Sequence, residues 1–153
     1  MKTADFGLPP AIWIDETVST STELQQRADA GKLANESALM AGFQTAGRGQ
    51  VGNFWESAAG ENLTCSLLYY PEQLNPDHSF VIAEMAALSV KHLLEEYIEV
   101  VSVKWPNDVY WTDRKICGIL VENNFSGNNL VRSIIGIGLN LNQVIFHSNA
   151  PNP

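Results

Sequence analysis

The chain has 153 residues, 45% of them hydrophobic, and carries 17 acidic against 9 basic side chains for a net charge of −8. This is enough chain for one cored domain without disulfides, and the composition excludes a disordered polymer. The acidic balance argues against non-specific nucleic-acid binding, which needs clustered Lys and Arg to displace counterions.

The opening MKTADFGLPPAIWIDE lacks the apolar run of a signal peptide, and no later window approaches a membrane span. The cytoplasm is therefore the expected setting. AIWIDE, Ala11–Glu16, predicts a short strand after Pro9–Pro10. The hydroxyls of Ser19–Thr22 offer N-caps for a helix over ELQQRADAGK that Gly31 stops. SALMAGF (Ser37–Phe43) and NLTCSLLYY (Asn62–Tyr70) predict two more strands, the second ended by Pro71.

From Asp77 to about Tyr97 the pattern is helical, with Val90, Leu93, Leu94 and Tyr97 forming an apolar stripe at i, i+3, i+4, i+7. VVSVKW, DVYW, KICGILVENNF and NLVRSIIGIGLNL then predict four strands, the last three joined by the turn-forming TDRK and SGNN. The expected fold class is α+β: a mixed, largely antiparallel sheet with helices packed on one face. Cys65 and Cys117 sit in apolar runs as small hydrophobes without CxxC spacing, and His78, His92 and His147 are too scattered for a metal cluster. No metal site on the protein is expected.

Three features carry candidate chemistry. The stretch Gln44–Trp55, QTAGRGQVGNFW, places Gly47, Gly49 and Gly52 around Arg48. Such glycines permit positive φ and a nest of N–H groups for an anion, while arginine forks onto a carboxylate or phosphate. The GRGQVG spacing is weak by itself, since no GK[ST] follows and GNFWES opens no amphipathic helix.

Second, period-two alternation puts Gly136, Gly138, Asn140 and Asn142 on one face of the final strand, and Gly118 sits mid-strand in the preceding one. Either a ligand approaches the backbone there, or a bulge or close helix does. The third is Lys104, which ends a strand beside Trp105–Pro106. It is an aimed cation or a solvated strand-end lysine, and for a lone lysine the second is commoner.

Taken together, GRGQVGNFW (47–55), KWPNDVYW (104–111) and RKICGILVE (114–122), with TSTE (20–23) and IGIGLNLN (135–142), resemble the catalytic domain of biotin–protein ligases, also called biotin–[acetyl-CoA-carboxylase] ligases or holocarboxylase synthetases. The resemblance runs from about Ile12 to Asn142 and implies a class II synthetase-like biotin/lipoate ligase fold. It also implies a ligase reaction in two steps. Biotin and ATP, with Mg²⁺ carried by the phosphates, form biotinyl-5′-AMP. The biotin then passes to a lysine of a biotin carboxyl carrier domain.

Carried onto this sequence, the resemblance makes Lys104 and Arg48 the catalytic cations. It assigns Ser21, Thr22, Gln44, Gly47, Arg48, Lys104 and Gly118 to biotin, and Arg48, Gln50, Trp55, Asn107, Lys115 and Asn140 to the nucleotide. Many members carry arginine where this chain has Gln50. Residues 1–153 are expected to form an incomplete catalytic domain, without the family's later helices, its SH3-like C-terminal domain or an N-terminal helix-turn-helix. Neither DNA nor a membrane is an expected partner, while family members can form homodimers through sheet edges. The alternatives are a lipoate or octanoate ligase or transferase of the same fold, and a non-catalytic biotin-binding fragment.

Overall fold

The computed structural model describes residues 10–31, 33–72 and 74–148. In chain order the elements are β1 (Ala11–Thr17), α1 (Thr20–Asp29), β2 (Ala38–Gln44), β3 (Leu63–Tyr69), a 3-10 turn (Pro76–His78), α2 (Val81–Glu95), β4 (Val101–Lys104), β5 (Asp108–Trp111), β6 (Arg114–Ser126) and β7 (Asn129–Leu139). They build one seven-stranded sheet in the order β1-β2-β3-β7-β6-β5-β4. Among the described residues only β1 and β2 pair in parallel, because α1 carries the chain between them; the other pairings are antiparallel. The α+β class and the mixed, largely antiparallel sheet are as expected.

The predicted turns form as hairpins. Gly127 takes φ +58° between paired Ser126 and Asn129, and Thr112 takes φ +56° between paired Trp111 and Arg114. At the end of α1, Gly31 has φ +67° and donates its N–H to Ala28 O. Ser19 holds the N-cap position but makes no side-chain cap bond. The acceptor comes from β2 instead: Gln44 Oε1 takes the Thr20 N–H at 2.8 Å.

The two helices do not share a face, contrary to the expected layering. Leu24 and Ala28 of α1 pack with Leu39, Leu68 and Ile134. Ile82, Ala87, Val90 and Leu94 of α2 pack with Val101, Val109, Cys117, Ile119, Ile135 and Leu139. Neighbouring strand residues point to opposite faces, so Ile134 and Ile135 place α1 and α2 on opposite sides of the sheet. The cause is that each face carries an apolar patch to cover, Leu39, Leu68 and Ile134 on one and Val109, Cys117, Ile119, Ile135 and Leu139 on the other.

The phase of α2 also differs from the expected stripe. Val90 and Leu94 are buried, but Leu93 and Tyr97 are 51% and 76% exposed. Apolar residues occupy several sides of this helix, so the pattern does not single out the side that meets the sheet. Burial pushes the Cys65 thiol up to about 11 and the Cys117 thiol up to about 12, as fits packed, unreactive cysteines. Among the described residues, no helix is long and apolar enough to cross a membrane.

Candidate functional site

The pairing registers lay residues in rows across the α1 face of the sheet. One row runs Ala41, Thr64, Gly138, Gly118, Asp108, Lys104. The next holds Leu39, Ser66, Gly136 and Leu120, and the third Leu68, Ile134 and Glu122. The α1 helix covers one end of this face and the stretch after β2 covers the middle. Between them lies an open cavity of about 430 Å³.

The Gln44–Trp55 stretch folds as a small hairpin. Arg48 bridges Phe54, Gly49 N–H bonds Asn53 O at 3.2 Å, and Trp55 N–H bonds Gly47 O at 2.9 Å. Of its three glycines only Gly52, at the tip, has positive φ (+86°). Gly47 is required for a different reason: a Cβ there would lie 2.5 Å from Trp55 O. The N–H groups of Gly49, Asn53 and Trp55 are spent inside the hairpin, so they do not converge as the expected anion nest.

One end of the cavity is neutral and polar. The Thr20 hydroxyl donates to Gln44 Oε1 at 3.0 Å, and the hydroxyls of Thr20 and Ser21 lie 2.8 and 3.0 Å from Ser66 Oγ. Ser21, Gln44 and Gly136 line the cavity here. A Cβ on Gly136 would come within 2.8 Å of Ser21 Oγ, so this glycine admits the first turn of α1.

The middle of the cavity is apolar. The Trp55 indole lies flat over the glycine row, where a Cβ on Gly118 would sit 2.7 Å from Cζ3 and one on Gly138 2.2 Å from Cε2. The mid-strand glycines thus make room for Trp55, a group of this chain rather than a ligand. The buried indole Nε1 has no hydrogen-bond partner among the described residues.

The other end is charged. Lys115 Nζ meets Asp108 Oδ1 at 2.7 Å and stands 5.9 Å from the Trp55 ring centre. Across the cavity Arg48 pairs with Glu122, and its Nη1 lies 3.5 Å from Thr22 Oγ1.

Among the residues expected at a site, Ser21, Gln44, Arg48, Gln50, Trp55, Asn107, Lys115 and Gly118 line this one cavity. Thr22, Gly47, Lys104 and Asn140 do not. Thr22 touches Arg48 at the rim, and Gly47 closes the base of the hairpin. Lys104 shares the face and row of Gly118, but it is exposed and its ammonium sits 5.2 Å from the Tyr110 ring centre. Asn140 donates Nδ2 to Lys115 O at 3.3 Å, bracing the strand that carries Lys115.

Asn107 spends its Nδ2 on Ile119 O at 2.8 Å, a strand-extending bond. Sequence reasoning missed Thr20, Ser66, Asp108 and Glu122. Ser66, a serine amid the apolar NLTCSLLYY run, is the one with a visible signal. Among the described residues, no group of three or more His, Cys, Asp or Glu is placed to hold a metal ion.

The site is thus a glycine row overlaid by a hairpin, with a neutral polar cluster and two ion pairs, Arg48–Glu122 and Lys115–Asp108. Residues 13–140 match the model of the Biotin/lipoate A/B protein ligase family, and the chain belongs to that family. It is 36% identical over 112 residues to the bifunctional ligase/repressor BirA of Escherichia coli, covering 72% of this chain and 35% of that protein. To BirA of Bacillus subtilis it is 31% identical over 147 residues, covering 90% and 44%. The chain thus spans less than half the length of these curated relatives.

Among solved structures, the biotin protein ligase from Aquifex aeolicus in complex with biotin and ATP superposes with a TM-score of 0.71 at 35% identity, covering 91% of this chain and 55% of that one.

Proposed function

We propose that this chain is the ligand-binding part of a biotin–protein ligase, which activates biotin with ATP and passes it to a lysine of a biotin carboxyl carrier protein. The observation that supports this reading is a single cavity with a hydroxyl–amide end, an apolar floor and a cationic rim. Biotin has a part to suit each: a neutral ureido ring, an aliphatic chain and a carboxylate. The Aquifex relative was solved with both biotin and ATP, which we carry to this chain as its substrates.

In this reading a biotin carboxylate oxygen attacks the α-phosphorus of ATP, the bond to the bridging oxygen breaks, and pyrophosphate leaves. The carrier amine then attacks the acyl carbon, AMP departs and the amine loses its proton to solvent. Two anions meet in the first step, so fixed cations are its main requirement. Ser21, Thr22 and Gln44 hold the ureido ring, with Gly47 and Gly118 giving Trp55 its place beside biotin. Arg48 faces the carboxylate and α-phosphate, and Gln50, Trp55, Asn107, Lys115 and Asn140 serve the nucleotide side. Lys104 reaches the reacting oxygens by swinging its flexible stem off Tyr110. Magnesium enters with ATP as its counter-ion on the phosphates. The cytoplasm, which holds ATP and carboxylases, is the setting.

The experiment is to give the full-length protein biotin, MgATP and a carrier domain. Pyrophosphate release with addition of one biotin mass to the carrier is the expected result. Transfer of lipoate or octanoate without transfer of biotin would overturn the proposal.

A further inference from the structure

The ion pair between Arg48 and Glu122 has no part in the roles above. Arg48 lines the cavity and Glu122 does not, although Gly118 and Leu120, on the same face of β6, both do. The carboxylate therefore holds the guanidinium from the sheet, one step along β6 from the cavity lining. One nitrogen, Nη2, is taken by Glu122, while Nη1 lies near Thr22 Oγ1 in the first turn of α1. The Arg48 backbone is fixed by its bridge to Phe54. Hairpin, helix and central sheet thus meet at one side chain.

With the two side chains 45% and 32% exposed, this pair adds little to stability. Its consequence is order: an arginine otherwise free to sample many rotamers stands at one place before a ligand arrives.

We propose that Glu122 is a positioning residue for Arg48, holding the guanidinium from the sheet beside the cavity so that its remaining donors meet the ligand anion. This rests on Arg48 being the cation that meets the carboxylate and phosphate.

Two experiments test it. In the ligand-free chain, Arg48–Gly49 is a trypsin site whose recognition side chain is tied to Glu122. Cleavage there, followed by mass spectrometry, is expected to run about fivefold faster in Glu122→Ala and by a smaller factor in Glu122→Gln, with cleavage after Arg114 unchanged. Equal rates after Arg48 in parent and both variants would overturn the positioning role.

In the full-length protein, Glu122→Ala is expected to lower kcat for adenylate formation about fivefold, with little change in KM for biotin and partial rescue by Glu122→Gln. The loss should vanish in an Arg48→Ala background. A loss of the same size there would show that Glu122 acts apart from Arg48, against the proposal. Failure of the parent protein to adenylate biotin would instead count against the functional reading, while the trypsin experiment still decides the positioning.

Discussion

At Gly138, a methyl carbon added to the backbone would stand 2.2 Å from the Trp55 indole, far inside van der Waals contact. Gly138→Ala is accordingly expected to lower stability by about 1–3 kcal/mol, the usual cost of overpacking. In a Trp55→Ala background the same substitution should cost little, and urea denaturation of the four proteins measures the coupling. The second residue-scale expectation concerns Lys104. Removing a cation that stabilises the charge of a step joining two anions costs about a hundredfold or more in rate. Lys104→Ala should slow adenylate formation by that order, with biotin affinity close to the parent's. Adenylate formation at the parent rate would remove the lysine from the chemistry.

Side-chain identity made Arg48 legible as a candidate anion group, because a guanidinium among glycines has few other tasks. Ser21 and Gln44 were singled out only by the family resemblance, since hydroxyls at a helix start equally serve as caps. The pairing of Arg48 with Glu122 was not legible. It joins residues 74 apart in sequence and depends on where the hairpin lands on β6.

Among the elements, α1 and β2 depend on each other through a buried polar knot. Gln44 caps α1 at Thr20, and Ser66 holds the hydroxyls of Thr20 and Ser21 from β3. Ser66 is fully buried, so Ser66→Ala takes the hydroxyl partner from Ser21 Oγ and leaves Thr20 with Gln44 alone. A loss of about 1–3 kcal/mol is expected, the desolvation cost of unpaired buried groups. The shift of the urea midpoint reads it, and an unchanged midpoint would mean that the knot is replaceable.

Strand alternation made the glycine face of β6 and β7 visible in the sequence, since period two fixes which residues share a face. It left open what fills that face. The direction in which a hairpin folds back is a tertiary matter, so Trp55 reads from sequence only as an aromatic near glycines. The helix layering was hidden for a related reason. The paired apolar residues Leu67–Leu68 and Ile134–Ile135 mark two buried faces without saying which helix covers which.

Over the whole molecule, contacts distant in sequence tie the site to the end of the described chain. Glu56, just past the hairpin, accepts the N–H groups of His147 and Ser148 at 2.7 Å each. The nearby Ser148 side chain first, and then these N–H groups, hold its carboxyl below the ordinary value of 4.5. A carboxyl lowered in the folded state contributes stability that is complete above its unfolded value and fades as pH falls through its folded one. The parent should therefore melt higher than Glu56→Gln at neutral pH, with the gap narrowing once the pH drops below 4.5. A gap that stays constant with pH would contradict the assigned cause.

At this scale one claim supports the rest: that hydroxyl end, apolar floor and cationic rim form a single site for biotin. Calorimetric titration of the 153-residue chain with biotin tests it most directly. Saturable binding at one site per chain, lost in Gln44→Leu and weakened in Arg48→Ala, is the predicted result. No binding of biotin by a folded chain, or binding that both substitutions leave unchanged, would contradict it.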